Sequence, residues 1–211
     1  MKRLLMLLVL VCLALIGIFF LFRLGTYSGV TRAQIQETLP GDEIIPHPWI
    51  VIDRAATLPA SASSSWPWVQ QLGKDRAGWY APRWLENFLK KHSAATIQPE
   101  FQHLKVGDVV PDWGGGSLKV LEIDPGHYVV YGSVRGDAHA SSTAAITAYA
   151  FTWTLALEDN TSSSTVFHLR LRLTPPTSTW QRILPAAPLG IIDYATDVVM
   201  FKGLQQKLSG Q

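Results

Sequence analysis

The sequence predicts an α+β domain in which a curved antiparallel sheet grips a long C-terminal helix. Two short helices follow the first strand, and one N-terminal transmembrane helix precedes the domain. Three observations support this prediction: an uncharged apolar run near the N-terminus, a period of two after Lys105, and a helical period in the last segment. The breaks between the period-two segments are short, which favours antiparallel hairpins over parallel strands joined by helices.

The N-terminal segment, residues 1–23, is predicted to be a membrane anchor. Residues 4–22 form an uncharged apolar run of 19 residues. As a helix this run is about 28 Å long, close to the hydrocarbon thickness of a bilayer. The apolar core of a secretory signal is usually shorter, roughly 7–15 residues, and the following LGTYSGVTR has no small-x-small cleavage site. We expect an uncleaved single-span membrane protein; a cleaved signal is the alternative.

The distribution of charge excludes some functions and suggests an orientation. When Lys2, Arg3 and Arg23 are set aside, 15 basic residues remain against 16 acidic ones. The main domain is therefore nearly neutral and lacks the basic surface typical of nucleic-acid binding. Lys2 and Arg3 favour an N-terminus inside the cell, which places the main domain outside the cytoplasm. The alternative places it on the inner face of the membrane.

The main domain is expected to begin after a connector. Residues 24–47 are polar and contain a turn signal at Pro40-Gly41. Residues 48–211 are assigned to the domain itself. Its first strand is predicted at residues 49–58, WIVIDRAATL, where β-branched residues alternate with others.

Two short helices are predicted next. Residues 59–73 indicate a helix that Pro67 must break or kink. Residues 81–92 indicate a second helix with Pro82 in its first turn. One face of that helix carries the apolar side chains Trp84, Leu85, Phe88 and Leu89.

Five segments with a period of two are predicted to form the antiparallel sheet: LKVGDVV, GSLKVLEID, HYVVYGSV, AITAYAFTWTLALED and STVFHLRLRLT. The alternation separates an apolar face from a polar one, which we expect to be solvated. The apolar face includes Tyr149, Phe151, Trp153, Leu155 and Leu157, together with Phe167, Leu169, Leu171 and Leu173. The polar face includes His168, Arg170 and Arg172.

The last segment, from Pro188 to Gly210, is predicted to be the helix that covers the apolar face. Its apolar residues recur every three or four positions, as expected for one face of a helix. They are Ile191, Tyr194, Val198, Phe201, Leu204 and Leu208.

Several phrases, taken in this order, resemble the START-like, Bet v 1-like helix-grip superfamily, and bacterial SRPBCC or polyketide-cyclase-like proteins in particular. They are GDEIIP (41–46), WPWVQQLG…RAGWY…WLEN (66–87), HLKVGDVV (103–110), VLEIDPGHYVV (120–130), YAFTWTLAL (149–157) and DVVMFKGLQQ (197–206). The resemblance implies a cavity between sheet and terminal helix that holds a lipid or other apolar molecule. A minority of members of this superfamily perform cyclase or hydrolase chemistry, so the resemblance is also compatible with an enzyme of this kind.

The aromatic residues are the best candidates for the lining of such a cavity, because aromatic side chains combine large contact area with a polar group. Packing in a solid core is the competing interpretation for each of them. The candidate ligand-binding residues are Trp68, Trp79, Tyr80, Trp84, Tyr131, Tyr149, Phe151, Trp153, Tyr194 and Val198.

No cofactor, metal site or catalytic residue is expected. The only cysteine is Cys12, and the single E-x-x-H, Glu100 to His103, lacks the second motif that a di-iron bundle requires. The leading hypothesis is a non-catalytic, membrane-anchored domain that binds a lipid or other apolar small molecule.

Two alternatives stay open. One is an enzyme of cyclase, dehydratase or hydrolase type, using polar groups such as Tyr131, Tyr149, His127 or Glu122 in the cavity. The other is an envelope interaction module without a ligand. Protein partners are not indicated by the sequence.

Overall fold

The computed structural model describes residues 2–81, 83–89, 92–112, 116–134, 149–175 and 186–210. Within these ranges the helices are α1 (Lys2–Thr26), α2 (Arg32–Gln36), α3 (Ala62–Gln70), α4 (Arg83–Leu89) and α5 (Ala186–Ser209). The strands are β1 (Tyr27–Ser28), β2 (Ile50–Leu58), β3 (Val109–Pro111), β4 (Ser117–Asp124), β5 (Tyr128–Val134), β6 (Tyr149–Thr161) and β7 (Ser164–Leu173). Short 3₁₀ turns occur at Asp42–Ile44 and Pro99–Phe101.

One sheet of seven strands contains all of these, in the order β1-β2-β7-β6-β5-β4-β3. Every neighbouring pair is antiparallel except β1 with β2. Register shifts in the β4–β5, β5–β6 and β6–β7 pairs mark irregularities of the bulge type, which bend and twist a sheet. The predicted fold class, a helix-grip arrangement of a curved antiparallel sheet and a C-terminal helix, is confirmed.

The helix α5 packs on one side of the sheet, which we call the helix face. The ring of Phe201 on α5 meets Phe167 of β7 edge-on at 5.6 Å between centroids. Further along α5, a Cβ atom on Gly203 would lie 1.8 Å from Tyr80 O. Only glycine therefore permits this approach of helix and loop backbone. The predicted coverage of the apolar face by the terminal segment agrees with these contacts.

Two local predictions need correction. The segment LKVGDVV forms a strand only at Val109–Pro111, because Gly107 adopts a φ of 94° in a turn that precedes it. Pro67 does not break α3, which runs on to Gln70; the alternative that it kinks the helix stays a prediction. A proline leaves the carbonyl four residues earlier without its helical partner; here that residue is Ser63, which is exposed and open to water.

The other side of the sheet, which we call the outer face, is not solvated as expected. His168 and Arg170 are 4% and 2% exposed. The connector covers them: Arg170 donates to the carbonyls of Gln34, Ile35 and Glu37. Alternating polar side chains are compatible with a face that is in contact with solvent and with a face that is covered by another polar segment. The alternation alone does not distinguish these two cases.

Candidate functional site

The anchor helix and the gripping helix meet at two glycines. A Cβ atom on Gly190 of α5 would lie 2.6 Å from Gly25 O of α1. The segment Leu5–Thr26 of α1 is long and apolar enough to span a membrane, and its residues are exposed as far as Leu24, just before the crossing. Length and composition of this kind also occur in signal sequences. The crossing nevertheless joins the helix to the domain through packed backbone.

Arg54 of β2 holds this crossing together. Its NH2 group donates to Gly25 O and Gly190 O, both at 2.9 Å, and its NH1 group donates to Leu24 O at 3.3 Å. Its side chain is 1% exposed and forms ion pairs of 2.7 Å with Asp193 and Asp197 of α5. A buried guanidinium with this many acceptors fixes three elements together, namely α1, β2 and α5.

The electrostatics of this cluster disfavour a second ionised carboxylate. Burial raises the pKa of Asp197 well above its ordinary value, and the neighbouring Asp193 raises it further, while Arg54 acts in the opposite direction. One guanidinium faces two carboxylates, so proton uptake by Asp197 relieves the imbalance. Sequence reasoning missed the cluster, because Arg54, Asp193 and Asp197 carry no motif and lie far apart in the chain.

The position of Arg54 identifies one end of the sheet, which we call the anchor end. Gly190 lies near the start of α5 and contacts Arg54, whereas Gln205, near the end of α5, donates to Thr57 O at 2.8 Å. The helix therefore runs in the same direction as β2. The anchor end is therefore the end of the sheet at which β2 begins, near Ile50.

Burial on the helix face decreases toward the anchor end. The row of residues that pairs across the sheet at Arg54 is buried at four of its five positions, namely Arg54, Leu169, Leu155 and Val129, with Ile123 partly exposed. In the next row, Leu171 and Trp153 are partly exposed, while Ile52, Tyr131 and Val120 are buried. The row after that is partly exposed at four of its five positions: Ile50, Leu173, Phe151 and Ser133, with Leu118 buried. The described part of the interior is thus packed at its centre and less covered at the anchor end.

An aromatic cluster occupies this less covered region. The ring of Trp153 lies 5.6 Å from Trp79 and 6.1 Å from Tyr131, measured between centroids. The hydroxyl of Tyr131 and the indole N–H of Trp79 are buried without a hydrogen-bond partner in the part of the chain that the structure describes. Burial raises the pKa of Tyr131, which keeps its hydroxyl protonated, and Arg76 acts in the opposite direction.

A third buried donor lies near Tyr131. Arg76 uses NH2 to donate to Gln70 O at 2.9 Å and Phe101 O at 3.3 Å, but its Nε is unpartnered among the described residues. Indole N–H and guanidinium N–H groups can only donate. Leaving such a donor unpaired costs about 1–3 kcal/mol, more for a charged group. Within the described ranges, the interior therefore has buried donors that no acceptor satisfies.

The predicted site residues fall into three groups. Trp68 and Tyr80 are core residues: the Tyr80 hydroxyl donates to Trp68 O at 2.9 Å and accepts from Gln71 Nε2 at 2.7 Å. Trp84 does not line the interior, because its side chain is 69% exposed. The buried side of α4 instead carries Glu86, which accepts from the backbone N–H of Ser93 at 2.9 Å.

Of the other candidates, Phe151, Trp153 and Tyr131 lie in the two rows nearest the anchor end. Trp79, Phe151, Trp153, Tyr194 and Val198 are partly buried, and Tyr131 is fully buried. The ring of Tyr194 stacks against Arg54, with Cζ 5.5 Å from its centroid. The side chain of Tyr149 lies outside the described residues.

The polar residues that an enzyme would use are not brought together in the described regions. Glu122 lies toward Glu43 of the connector on the outer face, and this contact and partial burial raise its pKa. His127 is exposed in the turn before β5, at the end of the sheet away from the anchor. Of Glu122, His127 and Tyr131, only Tyr131 faces the interior among the described residues.

Comparisons with known proteins show similarity of fold at low sequence identity. XoxI from Bacillus cereus is 10% identical with a TM-score of 0.45, over 75% of this chain and 95% of that one. The Aha1 dimer from Colwellia psychrerythraea is 12% identical with a TM-score of 0.45, over 75% and 96% of the two chains. PFC0360w, an HSP90 activator from Plasmodium falciparum, is 13% identical with a TM-score of 0.46, over 75% and 96%. No protein-family model and no curated protein matches the sequence.

Proposed function

We propose that this protein is a membrane-anchored, non-catalytic domain of the SRPBCC type that binds an apolar molecule on the helix face at its anchor end. The observation that supports the proposal is that two features lie close together on the helix face. Arg54 fastens the anchor helix at the central row, and the apolar interior is least covered two rows away, at the start of β2. A lipid or lipid-like molecule that partitions into the bilayer would reach the interior over a short path.

The side chains of the interior indicate which class of ligand would fit. Trp153, Phe151 and Leu173 supply apolar area, and its removal from water contributes about 25 cal/mol per Å² before ordering costs. Tyr131, Trp79 and Arg76 each have a hydrogen-bond donor without a partner in the described residues, and an acceptor on the ligand would satisfy it. We therefore propose an apolar molecule with one acceptor group, such as a carboxylate or carbonyl. The main domain lies outside the cytoplasm in this proposal, as the N-terminal charges indicate.

The test uses the full-length protein in nanodiscs with two probes of equal chain length, palmitate and hexadecane. Binding is followed by native mass spectrometry and by quenching of tryptophan fluorescence. Palmitate is expected to bind more tightly than hexadecane. Tyr131→Phe removes one donor and keeps the ring, so palmitate binding should weaken by roughly 2- to 10-fold, the equivalent of one hydrogen bond, while hexadecane binding should not change.

Two further variants separate the interior from the surface. Ser133→Phe places a large side chain in the row at the anchor end and should reduce binding of both probes. Ser163→Phe, in the exposed turn between β6 and β7, is the matched control and should have no effect. If neither probe binds the wild-type protein, or if both serine variants behave alike, the proposal is wrong.

A second candidate function, an interaction module, is favoured by one observation. Trp84 and Phe88 stand one turn apart on α4 and are 69% and 80% exposed. Exposed aromatic residues of this kind occur at protein-binding surfaces. A protein that binds no apolar molecule, but loses an association when Trp84 is replaced by Ala, would support this alternative.

A further inference from the structure

A pocket lies on the outer face, between the connector and the sheet. Its volume is about 480 Å³, within the range typical of small-molecule sites. Tyr27, the first residue after the anchor helix, forms one wall, and Val51, Asp53, Arg170 and Arg172 form its sheet side. The connector closes the rest with Ile35, Gln36, Glu37, Thr38, Asp42, Glu43 and Pro46. The pocket is on the opposite side of the sheet from the aromatic cluster.

The cations of this pocket are already engaged. Arg170 makes five hydrogen bonds: Nε to Asp53, NH1 to Glu37 O and Asp42, and NH2 to Gln34 O and Ile35 O. A guanidinium has five N–H donors, so Arg170 has none left for a ligand. Arg172 donates from Nε and NH2 to Ile45 O at 3.1 and 2.9 Å. An anion therefore finds few free donors here.

By contrast, not all carboxylate oxygens of the pocket accept a hydrogen bond from the described residues. Asp53 is fully buried, and its Oδ1 accepts from both His168 Nε2 at 2.8 Å and Arg170 Nε at 2.7 Å. Its Oδ2 has no hydrogen-bond partner in the described ranges, although Asp53 lines the pocket. Asp42 Oδ1 is similar, since Arg172 NH1 lies 3.3 Å away without forming an aligned hydrogen bond. Carboxylate oxygens can only accept.

The charges that line the pocket also favour a cation over an anion. Four carboxylates line the pocket, from Glu37, Asp42, Glu43 and Asp53, against the two guanidinium groups of Arg170 and Arg172. Outside the lining, Arg23 stacks on the ring of Tyr27, with Cζ 4.9 Å from the centroid. This contact reduces the excess of negative charge without cancelling it, and it shows that the Tyr27 ring packs against a cation.

We propose that the pocket binds a primary ammonium group, with an N–H donating to Asp53 Oδ2 and with Glu37 adding charge at the rim. A cluster of three or more metal-ligating side chains is not present in the described residues, so an organic cation fits the donor-poor, acceptor-rich lining better than a metal ion. Because Tyr27 directly follows the anchor helix, the ammonium belongs either to an aminolipid headgroup or to a soluble amine. The site is independent of the apolar ligand proposed above.

The experiment compares probes that differ in N–H groups. Full-length protein in detergent is titrated with ethanolamine, spermidine and choline, using calorimetry and thermal shift. Ethanolamine and spermidine should bind, whereas choline, which has no N–H, should bind at least tenfold more weakly. In nanodiscs, native mass spectrometry should show retained phosphatidylethanolamine in preference to phosphatidylcholine if the source is a lipid. Binding of the soluble amines without this preference would assign the source as soluble.

Variants then locate the site. Asp53→Asn should weaken ethanolamine binding by roughly 10- to 100-fold, the effect of one hydrogen bond to a charged group. Because Asp53 also holds Arg170, a second variant is needed: Glu37→Gln changes an exposed side chain and leaves the carbonyl bonded to Arg170. It should weaken binding severalfold, and Glu158→Gln, an exposed acid on β6, should not.

Three results would overturn the proposal: no binding of any amine probe, equal binding of choline and ethanolamine, or no effect of Glu37→Gln in a folded protein. The first would mean that Asp53 Oδ2 binds water only. None of these results bears on palmitate binding, because that site lies on the other face of the sheet.

Discussion

Replacing Arg54 with Met tests how the anchor helix is joined to the domain. Met keeps much of the side-chain length and removes the guanidinium, which is 1% exposed and contacts α1 and α5. Asp197, 9% exposed, then has no cation, while Asp193, 30% exposed, can regain water. Removing one partner of a buried ion pair costs about 3–5 kcal/mol. Rehydration of Asp193 and protonation of Asp197 limit the loss, so we expect about 3 kcal/mol.

The assay is urea unfolding of the full-length protein in non-ionic detergent, followed by tryptophan fluorescence at pH 7. Lys202→Met is the matched control, because Lys202 is an exposed cation on α5, the helix that Arg54 contacts, and its effect should stay within about 0.5 kcal/mol. The double variant Arg54→Met with Asp197→Asn should recover at least half of the loss, since no buried carboxylate then lacks its cation. A loss of less than about 1 kcal/mol in Arg54→Met, or no recovery in the double variant, would refute the reasoning.

Two further predictions concern α5. Gly203→Ala should destabilise the fold by about 1–3 kcal/mol through overpacking, because its Cβ would meet Tyr80 O at 1.8 Å; Gly17→Ala, with open space around it, is the control, and equal unfolding midpoints would contradict the prediction. The raised pKa of Asp197 means that the folded state binds more protons than the unfolded state, so this group lowers stability as pH rises from its ordinary pKa of 3.8 toward the folded value. Asp197→Asn should therefore gain stability relative to wild type as pH rises through that window, as measured by urea unfolding; a pH-independent difference would contradict this.

The elements that sequence patterns predict well are those whose signal is local. The apolar run of 19 residues became α1, and the strict alternation around Trp153 and Leu169 became the central hairpin of β6 and β7. The helical period of the last segment became α5, within two residues of the expected start at Pro188 and one of the expected end at Gly210. Each of these signals depends only on neighbours in the chain, and periodicity records them directly.

The candidate site was only partly predictable. Aromatic character on an apolar strand face selected Tyr131 and Trp153, whose rings lie 6.1 Å apart between centroids. The same reasoning placed Trp84 in the interior, where it is not, since helical period shows which residues share a face but not what that face contacts. The unpaired donors of Tyr131 and Trp79 were beyond prediction, because pairing depends on atoms contributed by distant segments.

The sequence by itself determined the apolar N-terminal helix, the alternation of the strands and the amphipathic final helix, because burying apolar area sets a repeat along the chain. Only the tertiary structure decided where the polar groups lie. Arg54 and Arg170 look alike as charged residues within strands, yet one binds the carboxylates of α5 and the other the backbone of the connector. A buried charge needs partners at hydrogen-bond distance, and the partners of Arg54 on α5 and of Arg170 in the connector are more than 100 residues away in the chain.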